Sequence, residues 1–133
     1  MAIVAIEKKS IAGQDPIFNE VPEFTKDMKK LNKKYNTIYD DLETFKQALS
    51  VALPDGLSGI VPISDLGDGI KDPVYKVRKF HCKALKGKGV KSGIRLIYTY
   101  YPSLNMIYFI EAYHKNQQEM EDRERIFSYL SGP

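Results

Sequence analysis

Apolar residues follow two different rhythms along this chain, helical through its first half and alternating after Pro73. Phe24, Met28, Leu31 and Tyr35 recur at spacings of four, three and four, which draws one apolar stripe down a helix. Lys29, Lys30, Lys33 and Lys34 take its other sides. Pro22 suits the first helical position, where its missing N–H is not needed, and Glu23 and Asp27 sit toward the positive end of the helix dipole. The stretch "YNTIYDDLETFKQALSVAL" predicts a second helix, capped by Asn36 or Thr37 and buried through Ile38, Leu42, Phe45 and Leu49. With only Asn36 and Thr37 between the stripes, the two helices should form an antiparallel hairpin.

The segment Pro54 to Pro73 carries four glycines and three prolines and reads as a long loop, a flap or a covering segment. Beyond it come three strands, "VYKVRKFHCKAL", "IRLIYTYYP" and "MIYFIEAYH", joined by "GKGVKSG" and by a tight turn at "SLN". Together they predict an antiparallel meander. "NQQEMEDRERIFSYL" predicts a closing helix with i,i+4 pairs Glu119–Arg123 and Glu121–Arg125, and with Met120, Phe127 and Leu130 facing inward. Ile17 to Val21 is a short strand ahead of the first helix, and residues 1–15 are an arm or an extra edge strand. The expected fold is α+β: residues 16–133 as one domain, a small curved antiparallel sheet with the helical hairpin on one face and a C-terminal helix. The other sheet face is expected to be free for binding.

Alternation in the second strand of the meander sets Ile94, Leu96, Tyr98 and Tyr100 on one face and Arg95, Ile97, Thr99 and Tyr101 on the other. The first set is larger and more apolar and should meet the helices. Arg95 then belongs to the open face. The alternative is that Arg95 pairs with Glu111 on the neighbouring strand.

Charge sharpens this picture. The chain has 133 residues and a net charge of +3, yet from Pro73 to Ile110 there is no Asp or Glu and there are eight basic residues. The remaining residues hold 12 basic and 17 acidic side chains. That asymmetry predicts a local positive potential and a polyanionic partner, nucleic acid above all. A solvated lysine-rich hairpin is the bland alternative. No apolar run is long enough to span a membrane, and no membrane partner is expected. The start "MAIVAIEKKS" has its apolar stretch before its charges, the reverse of a signal peptide, so a cytoplasmic location is expected. One cysteine, Cys82, offers no internal disulfide and no metal cluster, and no cofactor is expected.

The run "VYKVRKFHCKALKGKGVKSGIRLIYTYYPSLNMIYFIEAYHKNQQEMEDRERIFSYL", with "VPEFTKDMKKLNKKY" upstream, resembles the RelE/ParE superfamily of toxins from toxin–antitoxin modules. The resemblance covers roughly Ile17 to Leu130, and "GIRLIY" and "FIEAYHK" are its most specific pieces. It implies a toxin of the RelE-like mRNA interferase branch, an endoribonuclease that acts without metal. It also implies messenger RNA and the ribosome as partners, and a cognate antitoxin that silences the toxin. The implied chemistry is attack of a ribose 2′-hydroxyl on the adjacent phosphate, which needs a proton acceptor, a cation on the phosphate oxygens and a donor for the leaving oxygen. By the resemblance Arg95 is the phosphate cation, a role that suits a guanidinium fork. Lys76 and Arg78 match the family's paired basic positions, Lys115 a second cation, and Tyr113 and His114 an acid and base. Lys79, Lys83, Lys86, Lys88 and Lys91 are candidates for holding the RNA backbone.

Two other functions fit the same residues. A ParE-like branch inhibits DNA gyrase by binding and needs no acid–base set, and a protein of this fold can bind without catalysing anything. For His114 the alternative to catalysis is a cap on the closing helix. His81 and Cys82 read as strand and packing residues.

Overall fold

The computed structural model describes residues 15–89 and 91–131. The arm expected over residues 1–15 therefore lies outside the described residues, save for Asp15. In chain order the elements are β1 (Ile17–Glu20), α1 (Pro22–Asn32), α2 (Ile38–Ser50), β2 (Ile60–Pro62), β3 (Val74–Val77), β4 (Ile94–Tyr101), β5 (Met106–His114) and α3 (Arg123–Leu130). A single 3₁₀ turn, Pro102–Leu104, joins β4 to β5. The fold is α+β, with the sheet in the order β1-β5-β4-β3-β2.

The sheet is mixed, not antiparallel throughout. β3, β4 and β5 form the expected antiparallel meander, but β1 lies parallel to the outer edge of β5. The long loop also hides a strand. β2 is three residues long, ends on Pro62 and pairs antiparallel with β3, a length and composition suited to an edge.

Both expected apolar stripes face the core, with Phe45 half-buried at its margin. Phe24, Met28, Leu31 and Tyr35 of the first pack with Ile38, Leu42 and Leu49 of the second, over Leu96, Tyr98, Ile107 and Phe109 of the sheet. Phe24 stacks on Phe109 with ring centroids 5.1 Å apart. Thr37 precedes α2 as foreseen, but its hydroxyl donates to Asp41 at 2.7 Å and accepts from the Ala84 amide at 2.9 Å. The Asp41 carboxylate takes the Lys83 amide. These bonds pull residues 80–84 away from the sheet toward α2. β3 accordingly stops at Val77 instead of running to Leu85, although Phe80 and Cys82 remain buried.

The sheet's second face is covered over most of its area. Val74, Ile97, Ile110, Tyr113 and Ile126 form a second apolar cluster, roofed by Ile63, Leu66, Ile70 and Leu130. The loop before β3 and the C-terminal helix thus close the face that was expected to be free. α3 is half the expected length. Its N-cap is Asp122, whose side chain accepts from the Arg125 amide at 3.1 Å, and residues 116–122 turn ahead of it. The expected i,i+4 ion pairs do not form, because Glu119 and Glu121 precede the helix. Ile126 faces inward, while Met120 and Phe127 are 49% and 43% exposed.

One irregularity governs which residue faces where. The β4–β5 register shifts between Ile97 and Tyr98: Tyr98 pairs with Phe109 while Ile97 pairs with Glu111, so Ile110 is an extra residue. Below this bulge Ile107 and Phe109 face the helices. Above it Ala112 faces them, and Ile110 and Tyr113 face the second cluster. The bulge's free backbone groups have partners. Arg125 Nη1 donates to the Ile110 carbonyl at 2.9 Å and to Asp27 Oδ2 at 2.6 Å, and that same carboxylate oxygen accepts from the Ala112 amide at 3.1 Å. Asp27 and Arg125 are mostly buried, and removing one member of such a pair leaves an uncompensated charge. Arg125→Ala is expected to lower unfolding free energy in urea by about 3 kcal/mol. A loss below about 0.5 kcal/mol, the level of an ordinary surface change, would detach the bulge from this ion pair.

Candidate nucleic-acid interface

Three strand ends meet at one edge of the sheet. β3 ends with Arg78 and Lys79 just beyond it, β4 begins after Lys91 and Gly93, and β5 ends before Lys115. The five cations Arg78, Lys79, Lys91, Arg95 and Lys115 line one open groove of about 530 Å³, with Gly59, Val61 and Gly93 completing its wall. Among the described residues no acidic side chain lines it.

Arg95 is half-buried and spends one of its N–H groups on the Arg78 carbonyl, from Nη1 at 3.0 Å. That bond ties the side chain along the sheet edge and leaves most of the fork's five donors for a ligand. The expected alternative, an ion pair with Glu111, does not form. The bulge sets Tyr113 opposite Arg95 and Glu111 opposite Ile97. The Glu111 oxygens instead accept from Gln118 Nε2 at 2.6 Å and the Asp122 amide at 2.8 Å.

Two glycines shape the groove: Gly93, which opens "GIRLIY", and Gly59, which was not singled out in the sequence. Both have φ of +85°, where a side chain is strained. A Cβ on Gly59 would lie 2.5 Å from the Lys79 side chain, and one on Gly93 2.7 Å from His114 Nε2. Gly59 thus lets the Lys79 stem lie across the loop, and Gly93 lets the His114 ring close against the start of β4. The carbonyls of both glycines are used, by the amides of Arg78 at 2.7 Å and Lys115 at 2.9 Å.

Of the residues implied as catalytic, Arg95, Arg78 and Lys115 come together in the groove, and Lys76, Tyr113 and His114 do not enter it. Lys76 faces the covered side of the sheet, where its Nζ lies 2.5 Å from Oε1 of Glu121. Glu121 is 5% exposed and also holds Arg123 at 3.1 Å. Burial opposes ionisation of Glu121, but the Lys76 hydrogen bond and the Lys76 and Arg123 charges outweigh it and hold the carboxyl below its usual value. Tyr113 neighbours Arg95 but is only 6% exposed. Burial, with Glu121 and Glu111 nearby, pushes its phenol up to about 12, so it stays protonated.

His114 sits above the bulge on the helix side, 8% exposed, with its ring stacked on Tyr35 at 5.7 Å. Nε2 meets the Ser92 carbonyl at 3.0 Å and Nδ1 accepts from the Asn116 amide at 3.1 Å. Those two bonds suit the neutral tautomer with its proton on Nε2. Here the imidazole ties the end of β5 to the start of β4. It turns the chain after β5 rather than capping α3.

Among the RNA-backbone candidates, Lys79 and Lys91 reach the groove. Lys83 lines a separate hollow beside α2. Lys86 and Lys88 are exposed on the turn ahead of β4 and line neither. Among the described residues no cluster of His, Cys, Asp and Glu is placed to hold a metal, and no helix is long and apolar enough to cross a membrane. No protein-family model, curated protein or solved structure matches the chain.

His114 also sets a pH dependence. Its pKa lies below the ordinary 6.5, chiefly through burial and further through the charges of Lys34, Lys115 and Arg95. The unfolded chain therefore takes up this proton first. The stability is whole above about 6.5 and is lost as pH falls through the lower folded value. Wild-type unfolding free energy should decline on acidification from neutrality, and His114→Gln should flatten that limb. Parallel curves for the two proteins in this range would show that His114 does not carry the dependence.

Proposed function

We propose that the chain is the toxin component of a toxin–antitoxin module, a RelE-like endoribonuclease that holds an RNA backbone in the Arg95 groove. One observation carries this reading: five cations line an open groove with no acidic side chain among the described residues that line it, at the edge where the "GIRLIY" strand begins. Like charges gathered in this way repel one another unless an anion lies between them, and a phosphodiester chain supplies one anion per nucleotide. Arg95, tied at one N–H by the Arg78 carbonyl, presents the rest of its fork to a phosphate.

In the proposed reaction the ribose 2′-hydroxyl gives up its proton to water and its oxygen attacks the adjacent phosphorus, the 5′-oxygen of the next nucleotide leaves and takes a proton from water, and a 2′,3′-cyclic phosphate remains. Charge grows on the phosphate oxygens in the transition state, and Arg95 with Arg78 and Lys115 would stabilise it there. The proposed partners are messenger RNA, the ribosome, and an antitoxin that masks the cationic edge.

The placement of His114 and Tyr113 favours a second reading. With the imidazole bonded at both nitrogens away from the groove, and the phenol held protonated, neither supplies a proton acceptor beside Arg95. The same groove would serve a protein that grips nucleic acid without cutting it, as a gyrase-directed toxin would.

The test is induction of the chain in a bacterium with mapping of RNA 5′ ends. Growth arrest with new cuts in translated messages is expected, and Arg95→Ala should reduce cleavage about 100-fold while the protein stays folded. Arrest without cuts would transfer the proposal to the binding reading. Full cleavage by Arg95→Ala would remove the groove from the chemistry.

A further inference from the structure

A second hollow lies beside the groove. It has a volume of about 490 Å³ and sits between α2 and residues 57–58. Phe45, Ala48 and Leu57 give it an apolar wall, and Lys79, His81 and Lys83 stand at its rim. Lys79 alone borders both spaces, its stem lying across Gly59. One lysine side chain therefore separates a cationic, acid-free groove from an apolar hollow with a cationic rim.

We propose that this hollow is a nucleobase pocket for the strand whose phosphates lie in the groove. The proposal rests on the groove holding RNA, and it adds which part of the nucleotide the neighbouring space accepts. A single-stranded nucleotide joins an anion to a flat, weakly polar ring, and bases of such strands are held by stacking on aromatic side chains. Here the aromatic surface is Phe45, half-buried and braced against Phe80 at 5.9 Å, with the His81 imidazole exposed at the rim.

Asp41 separates base from phosphate. It stands in the wall of the hollow but is only 3% exposed, its carboxylate held inward by the Lys83 amide at 3.2 Å and the Thr37 hydroxyl at 2.7 Å. A carboxylate fixed just behind the wall repels a phosphate, whereas a neutral base carries no charge for it to oppose. The hollow is therefore closed to the backbone and open to the base, while Lys79 and Lys83 at its rim attract the backbone that carries that base.

An apolar segment of a partner protein is the competing occupant. It would gain from Phe45, Ala48 and Leu57, but only a segment that also carried acidic groups would answer the cationic rim and the continuity with the groove through Lys79.

The test compares binding of a short single-stranded RNA with that of an abasic ribose-phosphate strand of equal length, at one fixed salt concentration. The proteins are the wild type, Ala48→Phe and Arg95→Ala. Ala48 is an exposed helix position, so a phenyl ring there fills the hollow without entering the core. The wild type should bind RNA about tenfold more tightly than the abasic strand. Ala48→Phe should remove that preference and leave abasic binding unchanged, whereas Arg95→Ala should weaken both. Equal wild-type affinities for the two strands would overturn the pocket, and that comparison needs no variant. Full RNA affinity in Ala48→Phe beside a weakened Arg95→Ala would also overturn it, leaving the groove intact and the hollow to a protein segment. Binding of neither strand by the wild type would overturn groove and pocket together.

Discussion

The ion pair between Asp27 on α1 and Arg125 on α3 holds the extra residue in β5, and the layout of both sheet faces depends on that residue. A regular β5 would alternate from Ile107 to His114 without interruption. It would place Glu111 and Tyr113 toward the helices, and Ala112 and His114 toward the other side. The bulge at Ile110 reverses this for the last four residues. Ala112 then meets the helical layer and His114 stacks on Tyr35, while Glu111 and Tyr113 join the side of Ile97 and Arg95. A bulge leaves a carbonyl and an amide without ladder partners, and buried groups of that kind are costly. Arg125 takes the Ile110 carbonyl and Asp27 the Ala112 amide, so the pair that joins first helix to last also pays for the irregularity between them.

Charge is divided by the same architecture. On the covered face Glu121 is matched by Lys76 and Arg123, and Glu111 by Gln118 and the Asp122 amide. At the open edge Arg78, Lys79, Lys91, Arg95 and Lys115 stand together, with no carboxylate among the described residues lining the groove. The modest net charge of +3 thus combines a neutralised interior and an unneutralised rim. Lys76 and Arg95 both alternate outward from the helices, yet only Arg95 lies far enough toward the strand ends to escape the roof formed by α3 and residues 63–70.

Much of this was legible in the residues themselves. The stripes Phe24–Tyr35 and Ile38–Leu49, the meander, and the outward direction of Arg95 all follow from period and alternation, because in each case the local pattern and the packing agree. The acid-free run from Pro73 to Ile110 located the cationic edge. The bulge was not legible: Ile110 is an ordinary strand residue, and only contacts with Asp27 and Arg125, far away in sequence, make room for it. The bulge also turns His114 to the helix side, out of the groove that the resemblance would have it serve. The tie of Lys76 to Glu121 was not legible either, because Glu121 was expected on a helix with Arg125, and Asp122 starts that helix later. β2 lay hidden in a segment whose glycines and prolines mark a loop, and its three residues form a strand only because β3 offers an edge.

The most direct test of the claim that this edge binds a nucleic-acid backbone is the salt dependence of RNA affinity. Five cations acting on single-stranded RNA predict a log–log slope of roughly −3.5, and Arg95→Ala should reduce its magnitude by about 0.7, the share of one phosphate contact. A slope near zero, or one unchanged by Arg95→Ala, would contradict the claim that Arg95 and its neighbours neutralise a phosphate chain.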